Sequence, residues 1–370
     1  MADTLLSPRG TSESVEDSFF VSVIVPCRSE AKFIGTCLDS ILANDYPKDR
    51  LEVLVVDGMS QDGTRETVED YANRDPCIRL LDNPKRITPA ALNTGIAQAK
   101  GQILMRMDAH ARYNQDYISK SVSALDQYQA DNVGGIMITL PQRDSLVGRA
   151  IAACLSHRFG VGNSYFRIHT DKPMQVDTVF GGCYKREIFE RIGLFNERLA
   201  CSQDIEFNRR VLKAGGKILL VPEIVSYYYA RSDLRSFAKH NFRNGVWAIL
   251  PFAYSDVMPV SLRHLVPLGF VAALLGTSLL GLLWRPAHWL LLAILLAYGL
   301  SNLAASAQVA WRERDPRYLL AMPLTFGMLH FGYGLGSCWG VAKLASVPEF
   351  WRKIFRLGGQ HGAKNGREES

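Results

Sequence analysis

The chain has 370 residues, which is enough for about two domains with a sizeable core. Its formal net charge at pH 7 is +6, and this charge lies in the C-terminal part, where residues 231–370 contain 15 Lys and Arg against 7 Asp and Glu. Because the N-terminal part has no basic stripe with interleaved aromatic residues, the charge suits anionic lipid headgroups and excludes nucleic acid as a partner.

Residues 1–18 lack the basic start and apolar core of a secretory signal, so we expect a disordered tail followed by a cytoplasmic domain. Beyond the tail, β-rich segments alternate with helical patterns. Strands are predicted at residues 19–26, 51–57 and 78–81, and helices at residues 32–42, at residues 65–72 and from Thr88 onwards. This alternation predicts an α/β domain with a mostly parallel sheet, whose ligands bind at the carboxyl ends of the strands.

Acidic side chains follow two of the predicted strands. Asp57 opens the turn "DGMSQDGT", a composition typical of a tight loop and also of ligand contact. A further strand, in "QILMRMDAHARY", is predicted to end at Asp108, with His110 two residues later. Since side chains alternate along a strand, Asp108 and His110 are expected on one side of the strand end. The pair is typical of a polar strand exit and also of a divalent-cation site.

Further polar residues lie at the predicted N-termini of helices. The stretch "TPAALNTGIAQAKG" predicts a helix with Thr88 as its N-cap. Later, Gly181 and Gly182 are predicted at a strand end, with a helix from Lys185 and a second helix opened by Asp204. An Asp at a helix start is commonly a cap or a dipole partner. Being ionised at neutral pH, it is also a candidate general base.

Three segments almost free of charge lie at residues 265–284, 289–310 and 319–345, each long enough to cross roughly 30 Å of hydrocarbon. Arginines precede the first segment and lie between the second and third, which agrees with a cytoplasmic N-terminal domain. Three full crossings would place Arg352, Lys353 and Arg356 on the opposite side, so a re-entrant or interfacial third segment is an open alternative. The seven cysteines show no zinc spacing, and we expect reduced thiols.

Six stretches, in chain order, resemble the inverting glycosyltransferases of family 2 with the GT-A fold: "VSVIVPCRSE", "VVDGMSQDGT", "LNTGIAQAKG", "RMDAHARY", "FGGCYKREIFERIGLFNE" and "QDIEFNRRVLKAGG". The forms "PAALNTGI" and "MDAHARY" are most similar to the succinoglycan-type β-1,3-glucosyltransferases of exopolysaccharide synthesis. The resemblance spans roughly residues 19–250. It implies a Rossmann-like GT-A domain, and the chain is then divided into a GT-A domain, an interfacial helix region, membrane segments and a basic tail, at residues 19–230, 231–263, 264–346 and 347–370.

The resemblance also implies roles for individual residues. Asp57 matches the carboxylate that contacts the nucleoside, and Asp108 matches the first acid of the DxD motif, which holds Mg²⁺ or Mn²⁺ and the donor diphosphate. His110 stands in the place of the last acid of that motif, where imidazole is able to ligate the metal or contact the diphosphate. Asp204 matches the final acid of the ED motif, the general base, with Gln203 in place of the expected Glu.

The stretch "RSDLRSFAKHNFRNGVWAIL", ahead of the first membrane segment, is typical of an interfacial helix. Its "NFRNGVW" part is also similar to the QxxRW element of the family, with Asn where Gln is expected and an altered spacing. This similarity implies that Arg243 and Trp247 contact the diphosphate or the acceptor.

Together these features predict a metal-dependent inverting glycosyltransferase, multi-pass in the cell inner membrane with its catalytic domain in the cytoplasm. UDP-glucose is the expected donor, and a polyprenyl-linked saccharide is the expected acceptor. Two alternatives stay open: a polyprenyl-phosphate sugar transferase of similar fold, and a catalytically silent subunit of a polysaccharide assembly complex. The second alternative is motivated by His110 and Gln203, which depart from the family motifs.

Overall fold

A computed structural model describes residues 19–353 of the chain. The chain divides into two compact units, of which the first ends at Arg231 and the second begins at Ser232. The predicted tail at residues 1–18 lies outside the described residues, as does the predicted C-terminal tail from residue 354 onwards.

The first unit is built on a mixed sheet. Its described strands are β1 (Val21–Cys27), β2 (Leu51–Asp57), β3 (Ile78–Asp82), β4 (Ile103–Arg106), β5 (Ala111–Tyr113), β6 (Asn132–Pro141), β7 (Met174–Gln175), β8 (Cys183–Lys185) and β9 (Ile218–Ala230). They are ordered β3-β2-β1-β4-β8-β6-β9-β5, with β7 paired to β9. The longer registers, β1 with β2 and β4, β2 with β3, and β6 with β9, are parallel. The antiparallel pairings each involve only two or three residues, so the sheet is mostly parallel, as predicted.

Helices cover this sheet. In the first unit they are α1 (Ile34–Leu42), α2 (Thr64–Arg74), α3 (Thr88–Gln98), α4 (Tyr117–Gln127), α5 (Leu146–Leu155), α6 (Arg158–Val161), α7 (Tyr165–Ile168), α8 (Glu187–Ile192) and α9 (Gln203–Lys213). Residues on both faces of β1 and β2 are buried, which is the usual state of parallel strands with a layer on each side. The continuous apolar runs of these strands follow from that double burial.

Three predicted boundaries are wrong by a few residues. Ile87, not Thr88, occupies the cap position of α3, and it makes no side-chain cap hydrogen bond. The strand before Asp108 ends at Arg106, because the backbone turns at Asp108, whose C=O accepts from the Ala111 N–H at 3.1 Å. The segment expected to be helical from Lys185 is first the short strand β8, and α8 begins at Glu187.

The second unit is helical. Its α-helices within the described range are α10 (Leu234–Ile249), α11 (Val266–Leu283), α12 (Ala287–Glu313) and α13 (Tyr318–Ala345). The last three, α11 with a short 3₁₀ turn before it, are long and apolar enough to cross a membrane. Each of the three apolar segments of the sequence therefore forms a helix long and apolar enough to span a membrane.

The third apolar segment forms one continuous helix of 28 residues. A re-entrant hairpin needs a break in the middle of the segment, and α13 has none. Whether α13 crosses the membrane or lies along its interface stays a prediction. The glycines of α13 serve close helix packing instead. A Cβ atom at Gly336 would collide with the backbone carbonyl of Phe242 on α10, and one at Gly340 would lie 2.9 Å from the carbonyl oxygen of Val246.

Candidate active site

The carboxyl ends of β1, β2 and β4 meet at one edge of the sheet because the three strands run parallel. Cys27 ends β1 beside Asp57 at the end of β2, and Arg106 ends β4 beside Ile24 of β1. The loops beyond these strands enclose a cavity of about 210 Å³. Its charged lining residues are Arg28, Glu30, Arg86, Arg106, Asp108 and His110. The edge predicted to bind ligands is therefore the edge that carries the cavity.

Asp108 lines this cavity and is only 8% exposed. Nε of Arg106 donates to one of its carboxylate oxygens at 2.8 Å, and Nη2 approaches the other at 3.3 Å. The Asp108 backbone N–H donates to the Tyr113 hydroxyl at 2.6 Å, which fixes the turn. Burial opposes ionisation of Asp108, but the charges of Arg106 and His110 outweigh it and hold the pKa of Asp108 below its ordinary value.

His110 faces the same cavity with its imidazole anchored at one nitrogen. Nδ1 lies 3.1 Å from a carboxylate oxygen of Glu30. Burial alone would lower the pKa of His110, but the hydrogen bond to Glu30 and the charges of Asp108 and Glu30 raise it. The Tyr228 ring packs edge-on against the imidazole at 5.2 Å between centroids. Glu30 thus fixes the ring orientation and leaves Nε2 for a ligand.

Asp204 lies in the first turn of α9, where the sequence predicted it. One carboxylate oxygen accepts from the Ile205 N–H at 2.9 Å, and the other lies 3.7 Å from Nη1 of Arg106. Its side chain is 33% exposed, so it combines a fixed position with access to solvent. Gln203, in the place of the family's Glu, is buried. Arg106 therefore connects the predicted donor-site acid Asp108 with the predicted base Asp204.

Asp57 has a different setting from the other predicted acids. Its side chain is fully buried, and it is not among the residues that line the cavity. One carboxylate oxygen accepts from the Ser60 hydroxyl at 2.5 Å and the other from the Ser60 N–H at 2.9 Å. The neighbouring Gly58 and Asn83 do line the cavity. Asp57 holds the turn that forms this part of the wall.

Arg243 and Trp247 lie on α10, in the second unit. Arg243 is exposed, and its Nη2 lies 3.4 Å from Nδ1 of His240. Their contact with donor or acceptor stays a prediction.

The sequence interpretation missed Arg106 and Glu30. Arg106 was visible as a charged residue inside an apolar strand, two positions before Asp108 and therefore on the same strand face. Glu30 had no such mark, because its partner His110 is 80 residues away in the chain. Only the fold brings these two side chains together.

The oxygen and nitrogen atoms that could ligate a metal at the cavity suit a divalent cation. Carboxylate oxygen from Asp108 and imidazole nitrogen from His110 are both ligands of Mn²⁺ and related ions. Within residues 19–353 no three His, Cys, Asp or Glu side chains form a metal cage. Metals in nucleotide sites need few protein ligands, because substrate phosphates and waters supply the others. The residues present thus fit a metal bound jointly with a diphosphate.

The family model "Glycosyl transferase family 2" matches residues 22–193. A dolichyl N-acetyl-alpha-D-glucosaminyl phosphate 3-beta-D-2,3-diacetamido-2,3-dideoxy-beta-D-glucuronosyltransferase of Methanococcus voltae is 27% identical over 334 residues, which cover 88% of this chain and 98% of that protein. The succinoglycan biosynthesis protein ExoA of Rhizobium meliloti (strain 1021) is also 27% identical over 334 residues, covering 90% of this chain and 94% of that protein.

A solved structure shares the fold. A mannosyltransferase from Pyrobaculum calidifontis, in complex with GDP-Man and Mn²⁺, has a TM-score of 0.57 at 22% identity, with 87% of each chain covered. The matched family model, the two relatives and this shared fold agree with the motifs at the cavity. Residues 22–193 match glycosyl transferase family 2, the first unit has a GT-A-like fold, and the chain is a glycosyltransferase.

Proposed function

We propose that this protein is a membrane-bound inverting glycosyltransferase that moves one sugar from a nucleotide sugar, UDP-glucose in the first instance, to a polyprenyl-linked saccharide. The observation that carries the proposal is the connection of Asp108 to Asp204 through Arg106. A transferase that works by direct displacement needs a donor-phosphate site and a base on opposite sides of one sugar, held at a fixed separation. The buried guanidinium supplies that connection.

The nucleotide would occupy the cavity at the strand ends. Arg28 and Arg86 line it, and their charges suit a diphosphate. Asp57 supports the wall at the nucleoside end, so we assign the nucleoside contact to this turn, with Asp57 as its anchor. Asp108 and His110 Nε2 would hold Mg²⁺ or Mn²⁺. When bound, the metal would stabilise the negative charge that grows on the leaving phosphate.

Asp204 would act as the base. Its carboxylate is partly exposed, accepts a hydrogen bond from the Ile205 N–H and lies 3.7 Å from Nη1 of Arg106. The attacking hydroxyl of the acceptor transfers its proton to Asp204 as its oxygen bonds to the anomeric carbon, and the bond from that carbon to the nucleoside diphosphate breaks. Because attack and departure occur on opposite faces, an α-linked donor yields a β-linked product.

The acceptor would be held at a membrane. Three helices are long and apolar enough to span one. One relative is named for action on a dolichyl phosphate-linked sugar, and another for succinoglycan biosynthesis. An acceptor with a lipid tail and a soluble sugar suits a transferase with these two units, and we place the protein in the cell inner membrane with the catalytic unit in the cytoplasm.

The test is transfer of radiolabel from a panel of UDP and GDP sugars into lipid extract by membranes that carry the protein, with and without chelator. Label from one donor, lost with chelator and in Asp204→Asn, supports the proposal, provided that the variant is folded and in the membrane. Asp70→Asn, an exposed acid on α2, is the matched control and should transfer label normally.

Other outcomes favour the alternatives. Label in a product labile to mild acid, with no saccharide lengthened by one sugar, identifies transfer to polyprenyl phosphate itself. Absence of transfer from every donor, with lipid acceptor present, favours the silent subunit. In that case Asp204→Asn would leave polymer output unchanged in cells.

A further inference from the structure

Arg167, on the short helix α7, has an unusual environment. Its Nη1 atom is buried and has no hydrogen-bond partner among the described residues. Its guanidinium instead lies over two aromatic rings, 5.5 Å from the centre of Phe166 and 5.6 Å from the centre of Tyr228. Ring faces attract a cation, but they accept none of its five N–H groups in a bidentate fashion.

Several other partly buried arginines of this unit are paired with carboxylates, and Arg186 donates to the backbone carbonyls of Gly101 and Ala99. Arg106 contacts Asp108 and Asp204, and Arg210 donates to the carboxylate of Glu206 and to two backbone carbonyls. For Arg167 the structure describes no carboxylate partner, and burial lowers its pKa, with Tyr228 opposing the change. A buried cation without an anion carries a desolvation cost that stability alone does not explain.

The position of Arg167 relates it to the reaction site. The Tyr228 ring that contacts Arg167 also packs edge-on against the imidazole of His110. Arg167 therefore lies one aromatic ring away from the donor cavity, yet it is not among the residues that line it.

We propose that Arg167 binds the phosphate group that joins the acceptor sugar to its lipid. This inference rests on the proposed function, since it takes a lipid-linked saccharide as acceptor. A planar guanidinium with free N–H groups matches two phosphate oxygens. Arg28 and Arg86 line the cavity and suit the donor diphosphate. We therefore assign Arg167 to the phosphate of the acceptor.

The test measures binding of two probes to the full chain in detergent: farnesyl phosphate, which carries the lipid phosphate, and UDP, which carries the donor diphosphate. Arg167→Met should weaken farnesyl phosphate about ten- to hundredfold, the usual loss for a hydrogen bond to a charged group, and leave UDP binding unchanged. Arg167→Lys should fall between wild type and Arg167→Met. Arg112→Met is the control, because Arg112 lies 4.3 Å above the neighbouring Tyr227 ring but is exposed.

A wild-type measurement keeps the test independent of variant folding. Farnesyl phosphate should raise the unfolding temperature of the wild type, and farnesol, which lacks the phosphate, should not. Equal effects of the two lipids, or equal farnesyl phosphate binding by Arg167→Met and wild type, would overturn the inference. Loss of UDP binding in Arg167→Met with farnesyl phosphate binding intact would assign Arg167 to the donor and also overturn it. Failure of the proposed function is separate, since it shows as absence of sugar transfer by the wild type.

Discussion

Nη1 of Arg106 lies 3.7 Å from a carboxylate oxygen of Asp204, while Nε of the same guanidinium donates to Asp108 at 2.8 Å. The two acids come from different parts of the chain, one after β4 and the other in the first turn of α9. Nη1 is buried and lies just beyond hydrogen-bond distance of Asp204. The guanidinium therefore lies between the two acids, hydrogen-bonded to Asp108 and within ion-pair distance of Asp204.

Arg106→Lys should lower kcat about ten- to hundredfold while the protein stays folded. Lysine keeps the charge, but its ammonium is a compact point charge and lacks the planar fork that reaches two carboxylates at once. KM for the donor should change less than kcat, because Arg28 and Arg86 remain in the cavity. Steady-state kinetics with membranes or purified protein measures both values.

Arg79→Lys is the control for this substitution. Arg79 pairs with the buried Glu52 at 3.4 Å, outside the cavity. Its replacement should leave kcat unchanged. A wild-type kcat in Arg106→Lys would refute the role of the guanidinium fork.

The pair of Glu30 and His110 should make stability depend on pH. Because the pKa of His110 is raised in the folded protein, its contribution to stability is fully present below the unfolded value of about 6.5 and is lost as pH rises through the folded pKa. Glu30→Gln removes the acceptor carboxylate. It should therefore destabilise the protein most near pH 6 and progressively less towards pH 9.

Thermal unfolding in the same detergent, with EDTA present to keep metal from His110, measures this dependence. Glu66→Gln makes the same charge change on an exposed position of α2 and should show no such slope. A constant difference between wild type and Glu30→Gln from pH 6 to pH 9 would rule out the His110 linkage.

Asp57→Asn should lower both stability and UDP affinity. An amide cannot accept from the Ser60 hydroxyl and the Ser60 N–H with both of its terminal atoms, so a partly buried donor loses its partner, at a cost of about 1–3 kcal/mol. The turn it anchors contributes Gly58 to the cavity wall, and UDP affinity should fall with it. Denaturant unfolding and UDP titration measure the two effects.

Asp82→Asn provides the comparison. Asp82 lies beside Asp57 in the register of β2 and β3 and pairs with Arg65 at 2.6 Å, but its side chain is mostly exposed. Stability and UDP affinity should both stay close to wild type. Unaltered stability in Asp57→Asn would contradict the anchoring role.

Sequence patterns were sufficient where the local chain decides the structure. The strand predicted at residues 51–57 is found at Leu51–Asp57, because an apolar run with turn residues on both sides specifies a buried strand without further information. The first-turn position of Asp204 in α9 was likewise predictable. Contacts between residues far apart in the chain were not predictable. The contact of Arg106 with Asp204, and the lack of a hydrogen-bond partner for Nη1 of Arg167, depend on which loops meet.

The glycines of the third apolar segment show that the sequence does not predict which helices pack together. Gly332, Gly336 and Gly340 are spaced four residues apart, which places them on one face of a helix. The same composition is also compatible with a broken, re-entrant segment. The sequence does not show which helix packs against the glycines. The partner is α10, whose own Gly245 faces the backbone of Tyr333.

Gly336→Ala should destabilise the second unit by about 1–3 kcal/mol, the usual cost of overpacking. Its new methyl group would collide with the backbone carbonyl of Phe242, and a backbone cannot move aside as a flexible side chain does. Gly327→Ala is the matched control on the same helix, because nothing lies within 4 Å of its Cβ position. There the better helix propensity of Ala should leave stability equal or slightly higher. Thermal unfolding of both variants in one detergent measures the difference, and equal stabilities would show that α13 does not need glycine to pack against α10.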